Sequence, residues 1–438
     1  MRKDLIEDFQ YIDHIDLHGN VRRNPKLSGT THNVFGIQVG VGITLAVKKN
    51  GALPRLRYHR VPEMWRKREK LDFLAKGGVA WQSLTPDAEH NWLVLAHANE
   101  YAGYGPVQEM FELHSNGVMT CRDAVVYDFK RDNLAERMKR FVDEYNAEAY
   151  KHKANPNADW PDHLDWSRDL KLDAKRGKLA KFEDGKIVPA LYRPFTNKWL
   201  FFDRILNEEV GRWSKISGKV ILVKSGADWP FFVLSAQVIC DRLPQSGSQC
   251  FPLAHLKDST VWQFREQYSK DSISKEDVFN YVYALLHHPA YRERYAANLK
   301  RELPRIPFAP DFTGFATSGR ELARLHVGYE SLDPWPLKEI ISEELPYSEH
   351  VTKMKLSADK QSLKVNESLT LAGIPPETFD YRLGSRSALE WIIDQYQVKG
   401  ESDPNREDDP GYIVRLVGQV VRVSVETVQI VKNLPAYR

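Results

Sequence analysis

Cations set between aromatic rings suit phosphate and base contacts, and the stretch LYRPFTNKWLFFDR, residues 191–204, has that character: Arg193, Lys198 and Arg204 fall among Tyr192, Phe195, Trp199, Phe201 and Phe202. Lys and Arg neutralise phosphates, and planar rings support an Arg aimed at a guanine edge or stack on an unpaired base. Lys171, Lys175, Arg176, Lys178 and Lys181 lie shortly upstream. The same residues also describe a hydrophobic strand preceded by a solvated charge run, the reading that composition alone favours. Two other stretches carry groups that could meet a base edge. In SNGVMTCRDAVVYDF, residues 115–129, Arg122 and Asp123 stand at the start of an expected strand with Thr120 beside them. In DRLPQSGSQCFPL, residues 241–253, Arg242, Gln245, Ser246, Ser248 and Gln249 offer donors and acceptors on a Gly/Pro loop. Ordinary turn chemistry would use the same residue types.

Catalytic and metal chemistry finds less support. Pro161-Asp162 followed by Asp173-Ala174-Lys175 imitates a nuclease pattern, but that chemistry needs carboxylates and lysine on adjacent buried strands around Mg²⁺, and the intervening HLDWSRDLKL is polar. Asp409-Pro410-Gly411-Tyr412 imitates the D-P-P-Y loop of amino-methyltransferases. It lacks the second proline and sits in an acidic loop with no strand before it. His287-His288 are adjacent on an expected helix, so they point in different directions and cannot clamp one metal; a structural or capping role is expected. The glycines of HNVFGIQVGVGITLAVKKNG, residues 32–51, fit neither a dinucleotide nor a P-loop spacing. Ile43 to Val47 reads instead as a buried strand closing on Asn50-Gly51, with the glycines at sites of close backbone packing.

The elements that would position these groups belong to a chain of 438 residues, 42% hydrophobic and 28% charged, long enough for two or three domains. A net charge of +3 says nothing by itself about nucleic acid. Cys121, Cys240 and Cys250 form no C-x-x-C pair, so reduced structural thiols are expected. With no apolar signal segment or membrane-length run, a cytoplasmic location is expected. Tyr11 to Leu17 alternates as a strand, Leu53 to Tyr58 as another, and Pro62 to Leu74 reads as a helix with Met64, Leu71 and Leu74 inward. Residues 1–75 therefore look like the trailing half of an α/β sheet, cut before its first strand. Residues 76–340 are irregular, with helices expected at Leu134 to Tyr150 and at Lys275 to Leu303 behind the cap Ser274, and a polar, basic loop or surface helix at 151–186. From 341, short strands precede helices at Ser387 to Tyr396 and Tyr412 to Arg422.

The ordered set IDLHGN, NVFGIQVGVGITLAVKK, GVMTCRDAVVYDF, YRPFTNKWLFFD, GSQCFPL, YALLHHPAYRERYAANLKRELPRIPF, LHVGYE and FDYRLGSRSALEWIIDQYQVK spans nearly the whole chain. It resembles the C-terminal part of type ISP restriction-modification enzymes, long polypeptides with a nuclease, an ATP-driven translocase, a coupler, an N6-adenine methyltransferase and a target-recognition domain. The resemblance implies a mixed α+β fold. Residues 1–75 would be the end of the methyltransferase sheet, 76–340 an irregular target-recognition domain, and 341–438 its helical C-terminal part. The family's S-adenosylmethionine loop and N-P-P-Y loop lie upstream of the matched region, and no Walker loop is present. No catalytic residue and no metal ligand is therefore carried over, and S-adenosylmethionine, ATP and Mg²⁺ are expected only in the complete enzyme. The expected function is recognition of a specific site in double-stranded DNA through Arg122, Arg193, Lys198, Arg242 and Gln249. Tyr192 and Phe195 would support them, with Lys175, Arg176, Gln245 and Ser248 as further contacts. The alternatives are a subunit that completes a separately encoded methyltransferase and nuclease-translocase half in trans, or an inactive remnant.

Overall fold

The computed structural model describes residues 1–20, 31–62, 64–87, 90–93, 97–226, 229–243 and 247–438. They form a mixed α/β structure in two compact units, Met1–Tyr101 and Ala102–Arg438. Among the described residues no helix is long and apolar enough to cross a membrane.

In the first unit, strand β1 (Tyr11–Asp16) is central to a four-stranded sheet. It pairs antiparallel with β2 (Gly42–Val47) and parallel with β3 (Arg55–Arg60), and β3 carries β4 (Gln82–Leu84) on its far side. Ile12, Ile15 and Leu17 of the expected first strand are buried, and Asp13 grips Arg57 of the neighbouring strand through two hydrogen bonds of 2.7 and 2.6 Å. The buried strand expected at Ile43 to Val47 is instead an edge strand: Ile43, Leu45 and Val47 are exposed, Leu45 by 60%. Apolar alternation reports what a face prefers; it cannot report whether that face is covered. Gly42 is a site of close approach, since a Cβ there would lie 2.7 Å from the His14 ring. The expected helix begins later, at α1 (Lys67–Lys76), where the side chain of Glu69 accepts from the backbone N–H of Arg66. Its inward side is also different. Met64 and Leu71 are 56% and 46% exposed, while Lys70 is buried and donates to the carbonyl of His32, so a hydrogen-bonded lysine occupies the place expected of an apolar residue.

The second unit holds two four-stranded sheets that share the candidate segments. One runs β10 (Phe232–Ala236), β9 (Val220–Lys224), β12 (Gln249–Pro252), β5 (Ser115–Asn116), all antiparallel. The other runs β11 (Ile239–Cys240), β7 (Ile187–Arg193), β8 (Thr196–Phe201), β6 (Tyr127–Asp128): β11 lies parallel to β7, which turns back antiparallel into β8, and β6 pairs antiparallel outside. Val220 to Val223 are buried on both faces, as an unbroken apolar run should be. The strand expected at Arg122–Asp123 is a short helix, Asp123–Val126, followed by the two-residue strand.

Among the expected helices, Leu134 to Tyr150 is realised as Arg131–Ala154, and the basic stretch after it contains the short helix Arg168–Lys175, capped by Ser167 and anchored by Leu170 and Ala174. Ser274 caps Lys275–Leu285 with Asp277 in a reciprocal box, but the long helix expected there breaks at Pro289, which removes a backbone donor, and continues as Pro289–Arg294 and Ala296–Leu299. Lys275–Leu285 packs on Phe312–Val327 so closely that a Cβ on Gly319 would lie 1.8 Å from the carbonyl oxygen of Asn280. The last helix runs Tyr412–Lys432, ten residues beyond Arg422.

Candidate nucleic-acid interface

The three candidate segments meet in space through backbone pairing. Ser115–Asn116 pairs with Gln249–Cys250; Val118 donates to the carbonyl of Cys240 and accepts from Arg242 N–H, both at 2.8 Å; Asp241 N–H donates to the carbonyl of Leu191 at 2.9 Å. Tyr127 and Asp128 pair with Leu200 and Trp199. Residues far apart in sequence are thereby fixed within one cluster. The crossing depends on Gly117, where a Cβ would lie 2.3 Å from the Asp241 carbonyl oxygen and 2.4 Å from Arg242 Cα. Gly117→Ala must push backbone apart and is expected to destabilise the fold by about 1–3 kcal/mol, read by urea denaturation. Gly185→Ala, which meets open space, is the control that should stay near wild type; equal behaviour of the two would remove the crossing as a constraint.

Arg193 sits at the centre. Its Nη1 donates to Asp241 Oδ1 at 2.8 Å and to the carbonyl of Tyr192 at 2.6 Å, and its Nη2 donates to Asp123 Oδ2 at 3.3 Å. The Tyr192 hydroxyl donates to the same Asp123 oxygen at 3.0 Å, and Thr120 donates to the other. Asp241 also accepts from Leu243 N–H at 2.7 Å and from the Tyr127 hydroxyl at 3.4 Å. Burial raises Asp241 to about 6, against the pull of Arg193. Burial works against the Arg193 charge too, but Asp241, Tyr192 and Asp123 raise it overall, so the pair is ionised at neutral pH.

Lys198 behaves differently. Its ammonium lies 4.3 Å from the ring centroids of both Phe129 and Tyr192, and among the described residues it has no carboxylate partner. Burial, then Arg193, bring it down to about 8. The Arg193 guanidinium is 3.8 Å from the Tyr192 centroid, so that ring serves two cations. The opening of the cluster is Asp123, whose side chain is 38% exposed.

The remaining expected contacts are placed elsewhere. Arg122 is 1% exposed and faces inward: it donates to the carbonyls of Leu206, Thr120 and Asp165 and to Ser167 Oγ, 3.7 Å from a Glu208 oxygen. In this structure it ties the loop to two neighbouring segments and presents no donor at the surface. Phe195, in a left-handed turn with φ 56, is buried against His326, Tyr329 and Tyr381 and anchors the hairpin tip in the core. Ser248 is buried and donates to the carbonyls of Asp241 and Arg242, and Gln249 uses both ends of its amide on His114 and Asn116. Arg242 is half-buried beside Glu209, its Nη1 at 2.5 Å from the carboxylate. Lys175 and Arg176 are exposed at the end of their short helix, which packs on Arg131–Ala154. Gln245 and Ser246 lie outside the described residues. Sequence reasoning missed Asp241, Tyr127 and Phe129; their only signal was position, each at the end of an apolar run. Among the described residues no group of three His, Cys, Asp or Glu could hold a metal ion.

Residues 109–419 match the model of the Type ISP C-terminal specificity domain. The whole chain also superimposes on solved structures: the DrdV–DNA complex determined by cryoEM (33% identity, TM-score 0.82), a nuclease-deletion mutant of the Type ISP restriction-modification enzyme LlaGI in complex with a DNA substrate mimic (29%, 0.81), and the ATP-dependent Type ISP restriction-modification enzyme LlaBIII bound to DNA (25%, 0.82). It spans 49%, 44% and 32% of those chains. No curated protein matches. Since the family model covers most of its length, from the first strand of the β5 sheet to the final helix, the chain belongs to the Type ISP C-terminal specificity domain family.

Proposed function

We propose that this chain reads a specific site in duplex DNA as the specificity portion of a type ISP restriction-modification system, in the cytoplasm. Residues 1–75 are assigned to the end of an adenine-N6 methyltransferase sheet, 76–340 to the target-recognition domain and 341–438 to its C-terminal part. The observation that carries the reading is the convergence of three segments on Tyr192, Arg193 and Lys198, with Lys198 lacking a carboxylate partner among the described residues. Lys198 is suited to a phosphate or guanine oxygen, and the Asp123 carboxylate to a base amino group. Arg193, held by two carboxylates, orients both. Arg242, Lys175 and Arg176 supply charge at a distance from this cluster. The family likeness and the DNA held by the solved relatives support the same reading. Titration of a labelled duplex at two salt concentrations tests it: affinity should fall steeply as salt rises, because phosphate contacts release counterions. Salt-independent or undetectable binding would contradict it.

The depressed Lys198 makes a sharper test. Its folded value of about 8 lies below the ordinary 10.5, so the folded chain holds fewer protons than the unfolded one between those limits, and this residue's contribution to stability rises with pH across that window. DNA binding should go the other way. As pH rises through about 8 the ammonium is lost and affinity falls, whereas Lys198→Arg stays charged and removes that step. A pH profile identical in the two proteins would take Lys198 out of the interface.

A second reading, that the chain docks onto a separately encoded methyltransferase half, is favoured by the edge of β2, unpaired among the described residues, with Ile43, Leu45 and Val47 exposed. S-adenosylmethionine, ATP and Mg²⁺ would then act in that partner. Co-purification with an N-P-P-Y protein, and methyl transfer by the pair alone, would support this reading; independent migration of the two chains would oppose it.

A further inference from the structure

A cavity of about 310 Å³ opens in the larger unit beside Pro289–Arg294 and the C-terminal half of the last helix. Its walls combine cations with buried polar atoms that the protein itself does not satisfy. His287 Nδ1 lies 2.8 Å from the carbonyl oxygen of Tyr283. A carbonyl only accepts, so Nδ1 carries the proton and Nε2 presents a lone pair. Burial, with Arg292 and His326 nearby, holds His287 well below the ordinary imidazole range, which keeps the ring neutral. Nε2 is buried and makes no hydrogen bond among the described residues, and the same is true of the Tyr381 hydroxyl. The neighbouring His326, by contrast, is satisfied at both nitrogens by Tyr283 and Thr427, and its ring stacks on Tyr381 at 5.2 Å.

The charge is supplied by Arg292, Arg382 and Lys432, against one carboxylate in the lining, Asp380. Arg292 is fixed by its Nε, which donates to the Leu286 carbonyl at 2.6 Å, and by the Phe231 ring at 5.4 Å. Its two terminal amines make no hydrogen bond to the described residues. Burial brings it down to about 10, so it remains a cation at neutral pH. Two or more cations, a hydroxyl and a lone pair that needs a donor together call for an anion that carries a proton of its own.

We propose that this cavity binds a small protonated oxyanion, hydrogen phosphate or a protonated phosphate monoester. Arg292 and Lys432 face its charged oxygens, the Tyr381 hydroxyl donates to one of them, and His287 Nε2 accepts the ligand O–H. The phosphodiester of a DNA backbone has no such proton and would leave His287 unpaired.

Calorimetric titration of the full chain with inorganic phosphate, with sulfate in parallel, tests this. Phosphate should bind at one site, and sulfate, which has no proton at neutral pH, about tenfold more weakly for want of one buried hydrogen bond. Tyr381→Phe should weaken phosphate binding about tenfold while leaving the melting temperature unchanged, because the hydroxyl has no partner among the described residues to lose. Lys432→Gln, an exposed change that leaves the core intact, should weaken it severalfold. A nucleoside monophosphate that competes with phosphate would identify a monoester as the source; one that does not would leave inorganic phosphate. The proposal fails if phosphate gives no saturable binding, if sulfate binds equally, if both variants bind like wild type, or if an unphosphorylated duplex displaces phosphate.

Discussion

Arg122→Ala is expected to destabilise the larger unit by about 3–5 kcal/mol, the range for removing one partner from a buried ion pair. The reason is the number of groups left behind. Three carbonyls, the Ser167 hydroxyl and the Glu208 carboxylate all face the guanidinium, and the side chain is 1% exposed, so water cannot replace it without opening the fold. Arg122→Lys keeps the charge but cannot reproduce donors in three directions, and should recover only part of the loss. Urea unfolding should show a lower midpoint with an unchanged slope. DNA affinity should then fall for every sequence alike. A loss below about 1 kcal/mol would mean that Arg122 swings to the surface in solution and that its inward packing is not what holds the loop.

Arg193→Ala should strike both stability and recognition. It strands Asp241, buried and already raised to about 6, without its cation. Without Arg193 the carboxyl rises further and becomes protonated near neutral pH. The sign follows from proton counts: the folded state binds more protons than the unfolded one between the ordinary 3.8 and the folded value, so stability from this group falls as pH rises through that window. In the variant the window extends upward, so its deficit relative to wild type should be largest at neutral pH, on the order of 3–5 kcal/mol, and shrink toward pH 4. Arg193→Ala/Asp241→Asn should regain much of the stability by removing the stranded charge. Recognition should not return with it. If Arg193 orients the reading face as proposed, the double variant still loses about 1–3 kcal/mol at one position of the DNA site. Recovery of both properties would reduce Arg193 to a structural ion pair.

These contrasts mark what the sequence could and could not tell. Local signals were readable: the Ser274 cap, the strand at Tyr11 to Asp16, and the three segments as units of interest. Their meeting point was not, because it rests on pairings such as Asn116 with Gln249 and Val118 with Asp241 that no local pattern encodes. Arg122 and Arg193 look alike in sequence, each an Arg beside an Asp or a Tyr at the end of a loop. Only burial separates the inward hub from the residue that borders an opening. The last helix runs on past Arg422 through Val423, Val425 and Val428, which are β-branched, and their burial outweighs a weak local preference against helix. At β2 the error had the opposite origin, an apolar strand whose covering face is absent from the described residues.

The most direct test of the account is retention of a randomised duplex pool by the purified chain, followed by sequencing of the bound DNA beside the same selection with Lys198→Gln. The wild type should enrich one asymmetric motif, with retention falling steeply as salt rises and weakened in the variant. Retention without enrichment, equal in the two proteins, would contradict the claim that these three converging segments read DNA sequence.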